Sequence, residues 1–252
     1  MMIRRSLGFV LLMLCTLGPI ASASTQRDAE SAAKQRKIAF ILVHDQSATG
    51  VDQARDVIRQ TMKQVSKSVL LELDRSDPAN AEYVAKLRLA GAPVPLILVV
   101  ARNGVVAGGG PAAETTPATL LGMVPSSKKA EVLQALQSGK PVFIAVSRKG
   151  MISEPKAVAA CMAACSQMGD KSALVRIDMA DPQEAAFLAQ LKVSSTATEP
   201  VTLVVNAQGQ VMGPFTGDLD VAGLVQTATR IAGGCCPSTV QGGSKGCAPT
   251  KK

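Results

Sequence analysis

The sequence predicts an α/β chain made of two tandem copies of one unit, and three observations carry that expectation. The first is self-similarity. Leu73-Asp74-Arg75-Ser76-Asp77-Pro78 returns as Ile177-Asp178-Met179-Ala180-Asp181-Pro182. Amphipathic runs follow, with Ala81, Ala85 and Leu87 matching Ala185, Ala189 and Leu191. After a one-residue insertion, Pro95-Leu96-Ile97-Leu98-Val99-Val100 matches Pro200-Val201-Thr202-Leu203-Val204-Val205, and Asn103-Gly104 matches Gln208-Gly209. Similarity at a fixed period over this length marks a duplicated structural unit. The second observation is a set of short, unbroken apolar runs, the mark of strands covered on both faces. The third is Asn-Gly between apolar runs, a hairpin signal.

Each unit reads αβαβαββα, a mixed sheet with helices on both faces. In the second copy the opening helix places Val132, Leu133 and Leu136 on one face, and Gly139 follows as a C-cap glycine. A central strand comes next, Lys37-Ile38-Ala39-Phe40-Ile41-Leu42-Val43 in the first copy and Lys140-Pro141-Val142-Phe143-Ile144-Ala145-Val146 in the second. A helix over about 51–67, or 155–168, leads to a second strand ending at Asp74 or Asp178. A crossing helix starts at Pro78 or Pro182, since proline suits a first helical turn. The strand 96–100 or 201–205, a tight turn and a return strand then lead to a closing helix at about 116–123 or 219–232. The expected domains are 30–125 and 127–232.

Ser138-Gly139-Lys140-Pro141-Val142-Phe143-Ile144, Gly91-Ala92-Pro93-Val94-Pro95-Leu96, Asn103-Gly104-Val105-Val106 and the strand after Pro200 together resemble the thioredoxin superfamily. The resemblance covers roughly 30–232 and implies a cis proline opening the third strand and facing the redox site. Pro95 and Pro200 are the positions onto which that role carries.

The family's chemistry resides in a Cys-x-x-Cys at the N-terminus of the helix after the first central strand, where the helix end lowers a thiol pKa. Here that loop reads His44-Asp45-Gln46-Ser47-Ala48-Thr49-Gly50 and, in the second copy, Ser147-Arg148-Lys149-Gly150-Met151-Ile152-Ser153. Neither holds a cysteine. Cys161 and Cys165 sit well inside a helix, on the apolar stripe Val158, Cys161, Cys165, Met168, aligned with Val57 and Thr61 of the first copy. They read as core residues, with metal ligation shared with the tail as the alternative. His44, the single histidine, reads as a structural residue at a strand end.

Residues 1–23 read as a secretory signal: Arg4 and Arg5, an apolar core from Leu7 to Leu17, and Ala21-Ser22-Ala23 before the cleavage point. No other apolar stretch approaches the roughly 20 residues that span a bilayer. The expectation is an exported protein, periplasmic or secreted. Net charge is +8, with scattered basic residues, one Tyr, five Phe and no Trp, which argues against single-stranded nucleic acid as a partner. Five cysteines follow the signal, an odd number for an oxidising compartment.

Three of them, Cys235, Cys236 and Cys247, fall in a Gly/Pro-rich tail, 233–252, too poor in apolar side chains to order itself. Without histidine, three thiolates suit a soft ion such as Cu(I), trivalent arsenic or divalent mercury, whereas zinc would want a fourth ligand. Alternatively Cys247 closes a loop with Cys235 or Cys236 and leaves the third thiol for exchange, or all three are incidental. The leading functional expectation is an exported, non-catalytic tandem module that binds another exported protein. The runner-up is a thiol-disulfide oxidoreductase or soft-metal carrier acting through the tail.

Overall fold

The computed structural model describes residues 24–230. The signal read over 1–23 and the tail with Cys235, Cys236 and Cys247 lie outside the described residues. The first unit comprises α1 (Thr25–Lys34), β1 (Ile38–His44), α2 (Val51–Met62), β2 (Ser68–Asp74), α3 (Ala81–Lys86), β3 (Leu96–Val100), β4 (Val106–Pro111) and α4 (Pro117–Met123). The second repeats that order as α5 (Ser127–Gln137), β5 (Val142–Ser147), α6 (Glu154–Met168), β6 (Ala173–Asp178), α7 (Ala185–Gln190), β7 (Val201–Val205), β8 (Val211–Phe215) and α8 (Val221–Thr229).

The sheets run β2-β1-β3-β4 and β6-β5-β7-β8. The first two strands of each unit are parallel, and the third and fourth are antiparallel to their neighbours. Alternation along the central strands divides each core in two. Ala39, Ile41 and Val43 pack with α1 and α3, while Ile38, Phe40 and Leu42 pack with Ala54, Ile58 and Leu120 of α2 and α4. In the second unit Val142, Ile144 and Val146 face α5 and α7, and Phe143 and Ala145 face α6 and α8.

The crossing helices begin as single 3-10 turns, Pro78–Asn80 and Pro182–Glu184, rather than as full α-helix. Asp77 accepts a hydrogen bond from the Ala79 amide, and Asp181 one from the Gln183 amide, both at 2.9 Å. The repeated Asp-Pro thus acts as cap plus pre-set first residue. Each such turn also anchors the opening helix of its unit. Asn80 Oδ1 accepts from the Thr25 amide at 3.1 Å, and buried Glu184 accepts from the Lys128 amide at 3.1 Å and from Ser126 Oγ at 2.5 Å. A carboxylate at the first turn of α5 complements the positive end of that helix.

Schellman hydrogen bonding closes α1, α3, α5 and α7. Gly139 takes the left-handed position after α5, at φ 70°. Arg36, Arg88 and Lys192 occupy the same position after α1, α3 and α7, at φ 52°, 56° and 57°. Side chains other than glycine are disfavoured there by about 1 kcal/mol.

Three details depart from the sequence reading. First, α2 stops at Met62 rather than near 67, and the chain turns through 63–67 into β2. Second, the helix alignment shifts by one residue. Ala54, Ile58 and Thr61 are the buried positions of α2, and Ala157, Cys161 and Ala164 those of α6. Cys161 therefore replaces Ile58, not Val57, and Cys165 replaces Met62, not Thr61; burial fixes the register, and the insertion falls after the helix. Third, Leu133 does not join Val132 and Leu136 in the core of its own unit. It packs with Ala130 of α5 against Ala101, Val105 and Ala107 of the first unit.

That seam is also polar. Asn103 Nδ2 donates to the Ala130 carbonyl at 2.8 Å and to Gln134 Oε1 at 3.2 Å, and Gln137 Nε2 donates to the Val106 carbonyl at 2.7 Å. The Asn103-Gly104 turn read as a hairpin signal doubles as the contact between units. Among the described residues, no helix is long and apolar enough to cross a membrane.

Candidate functional site

Parallel β1 and β2 bring the loop after β1, the end of β2 and the approach to β3 to one end of the first sheet. This is where the resemblance places redox chemistry. The loop 45–50 contains no cysteine, and α2 begins after Gly50 without a side-chain cap.

Two ionic clusters occupy the place instead. Near the start of α2, Arg55 donates to Glu72 in a forked pair, Nε to Oε1 at 2.8 Å and Nη2 to Oε2 at 3.2 Å, and also to Asp52. His44 Nε2 lies 3.7 Å from Glu72 Oε2. Forked guanidinium–carboxylate pairs are among the stronger charged contacts, and the Arg55 hydrogen bond holds the Glu72 carboxyl below its ordinary value.

The second cluster joins the two loops. Arg75, at the end of β2, donates to the carbonyls of Ala92 at 2.7 Å, Ala90 at 3.3 Å and Leu89 at 3.4 Å. Its other nitrogen donates to Asp45 Oδ2 at 2.5 Å. One guanidinium thus fastens the β1–α2 loop to the segment entering β3, where the Val94–Pro95 peptide is cis. The Asp45 carboxyl, hydrogen-bonded by Ser47 and then by Arg75, is lowered from 3.8 to about 2.

A carboxyl with a depressed folded-state pKa stabilises the fold above its unfolded value, and that contribution is lost as pH falls through the folded value. The window here runs from 3.8 down to about 2. Asp45→Asn should therefore lower the urea midpoint at neutral pH, with the gap to the parent chain closing through that window. A gap that persists unchanged at the acid end would show that Asp45 does not titrate in this way.

The second unit builds the same end differently. Ser147 ends β5 where His44 ends β1, and its hydroxyl lies 3.2 Å from Glu154 Oε1. Arg176 of β6 lies 3.5 Å from the same carboxylate. The charges are transposed, acid on the helix and base on the strand. Arg148 reaches across to the Ser195 carbonyl, so again an arginine joins the two loops, from the opposite side.

Pro200 departs from the expectation. Among the described residues the cis peptides are Val94–Pro95 and Gly213–Pro214, and Glu199–Pro200 is not one of them. The second copy reaches its proline with one more residue than the first, which changes the approach to the strand.

The two described cysteines are free and distant in kind from a redox pair. Cys161 is 0% exposed in the α6/α8 core, with Sγ 3.7 Å from Thr202 Oγ1. Cys165 is half-buried beside it. Burial pushes both thiols up, so neither is poised as a thiolate nucleophile or ligand. Among the described residues no three His, Cys, Asp or Glu side chains are grouped to hold a metal ion.

Sequence reasoning missed Arg75, Asp45, Arg55 and Glu72 as a constellation. The available signal was the mismatch of Arg75 with Met179 inside an otherwise repeated hexapeptide.

No family model matches the chain, and no curated protein matches it. Among solved structures, the first two thioredoxin domains of Naumovozyma dairenensis Eps1p are 10% identical, over 81% of this chain and 96% of that chain, with a TM-score of 0.31. The corresponding Saccharomyces cerevisiae Eps1p domains are 10% identical, over 83% and 97%, with a TM-score of 0.30. The zinc-bound form of human ERp44 is 9% identical, over 82% of this chain and 57% of that chain, with a TM-score of 0.34. The fold assignment rests on strand order, strand direction and helix placement in each half. Both halves are thioredoxin-like domains, joined in tandem, and neither has a cysteine in the loop after its central strand.

Proposed function

We propose that this chain is an exported, non-catalytic tandem thioredoxin-like protein that binds another exported protein. The observation that carries the reading is the cross-tied, cysteine-free end of each sheet. Arg75 and Arg148 hold shut the loop pairs through which a redox-active relative would exchange thiols, and the described cysteines lie inside a helix, Cys161 buried and Cys165 half-buried. A fixed loop pair is suited to recognition rather than turnover, since a preorganised surface loses less freedom on binding. The second unit offers an apolar contact at this end, Ile152, 97% exposed.

A second reading rests on Cys235, Cys236 and Cys247, which sequence places beyond the last helix. In it the tail exchanges thiols or carries a soft metal ion while the domains serve as the scaffold. Insulin disulfide reduction, measured on the full chain and on a chain ended after Gly233, separates the two. The binding reading expects no turnover above the dithiothreitol background from either protein. Turnover confined to the full chain supports the tail. Turnover by the shortened chain that is lost in Cys161→Ser or Cys165→Ser overturns both.

A further inference from the structure

A cleft of about 720 Å³ opens between the two domains, at the end of the first sheet opposite His44. β1 is 7 residues long, so the cleft is roughly 20 Å from the loop pair described above. Three backbone turns bring four cations to its first-domain wall. Lys34 and Arg36 come from the α1–β1 connection, Lys67 from the start of β2, and Arg102 from the β3–β4 turn. None of the four forms an ion pair among the described residues. The opposite wall is formed by α5, with Ser127 and Gln134 as neutral hydrogen-bonding groups, and by Gln183 of the turn that follows β6. The single carboxylate lining the cleft, Glu131, is already engaged by Lys128 Nζ at 2.8 Å.

We propose that this cleft binds a small multivalent oxyanion, phosphate- or carboxylate-bearing, and that the bound anion ties the two domains together. The volume lies within the range of small-molecule pockets, about 300–1,000 Å³. Four unpaired cations on one wall of a concavity repel one another, and a multivalent anion relieves that repulsion where a monovalent ion relieves only part. Arg36 adds an independent observation. It holds the left-handed position of a Schellman motif, where glycine would be favoured, and so keeps a guanidinium at the cleft at a conformational cost. Arg88 holds the same kind of position after α3 but does not line the cleft, which makes it the matched control.

The test is calorimetric titration of the full chain with inorganic pyrophosphate and, separately, with citrate at low ionic strength, together with thermal unfolding of each variant. Arg36→Gly and Arg88→Gly should both raise the unfolding midpoint of the unliganded protein. Arg36→Gly and Arg102→Ala should each weaken anion binding about tenfold, the scale of one charged hydrogen bond, while Arg88→Gly binds as the parent does. A preference between the two probes identifies phosphate or carboxylate as the group recognised. Absence of saturable binding by either anion overturns the proposal, as does equal binding by the parent and Arg36→Gly. Equal loss in Arg36→Gly and Arg88→Gly would mean that net charge alone is being read, and would overturn it too.

Discussion

In a chain with Cys235, Cys236 and Cys247 replaced by serine, Cys161 is expected to react with a disulfide reagent at least ~1,000-fold more slowly than a cysteine in an unstructured peptide. The side chain is 0% exposed and packed with Ala164, Phe143, Val204 and Leu224. Reaction therefore requires α6 to lift from the sheet. An opening that exposes part of a domain core costs about 4 kcal/mol or more, which is the stated factor. The raised pKa slows the reaction further, since the thiolate is the reactive form. Cys165, half-buried one turn later, should react first. In denaturing urea the two rates should converge. Native rates within tenfold of the denatured ones would show that α6 opens readily, and would reopen the helix pair as a redox site.

Phe143→Ala is expected to destabilise the second domain by about 3–5 kcal/mol, close to the whole stability of a marginal domain. Phe143 is fully buried on the face of β5 that meets α6 and α8, in a cluster with Cys161, Ala164, Val204, Leu224 and Ala228. Neighbours fixed in the sheet and in two helices relax only partly into the space left behind, so the cavity term adds to the lost transfer energy. Phe40, its counterpart on β1, is surrounded by Ile38, Leu42, Ile58 and Leu120. Phe40→Ala should act on the first domain by a similar amount. Urea unfolding followed by circular dichroism would show one of two transitions displaced in each variant. A shift under about 1 kcal/mol for Phe143→Ala would mean that the core repacks, contrary to the density expected of protein interiors.

The candidate site was only partly legible. Absence of cysteine from 44–50 and 147–153 is a property of the sequence, and so is the burial stripe through Cys161. The Arg75 tie is not. It joins Asp45 to the carbonyls of Leu89, Ala90 and Ala92, residues that are separated along the chain and meet only because parallel β1 and β2 end side by side. A long side chain on a strand end gives no periodic signal, since its partners are backbone groups whose positions depend on the fold.

The sequence by itself determined the duplicated architecture. Unbroken apolar runs at 38–43 and 142–146, too short for buried helices, mark strands covered on both faces, Asp-Pro starts a helix, Asn-Gly turns a hairpin and Gly139 ends α5, all through interactions among near neighbours. Tertiary structure alone decided what meets what. Leu133 has the right spacing for its own core, yet it packs across the seam, because a helix carrying apolar residues on two faces is oriented by both surfaces it touches. The pairing of Cys161 with Ile58 was likewise hidden. Shifting an alignment by one residue leaves the apolar count of a helix unchanged while rotating a different side chain toward the sheet by about 100°. The interdomain cleft belongs to the same class: Lys34, Arg36, Lys67 and Arg102 are scattered in the sequence, and only the convergence of three turns at one end of a sheet gathers their charge.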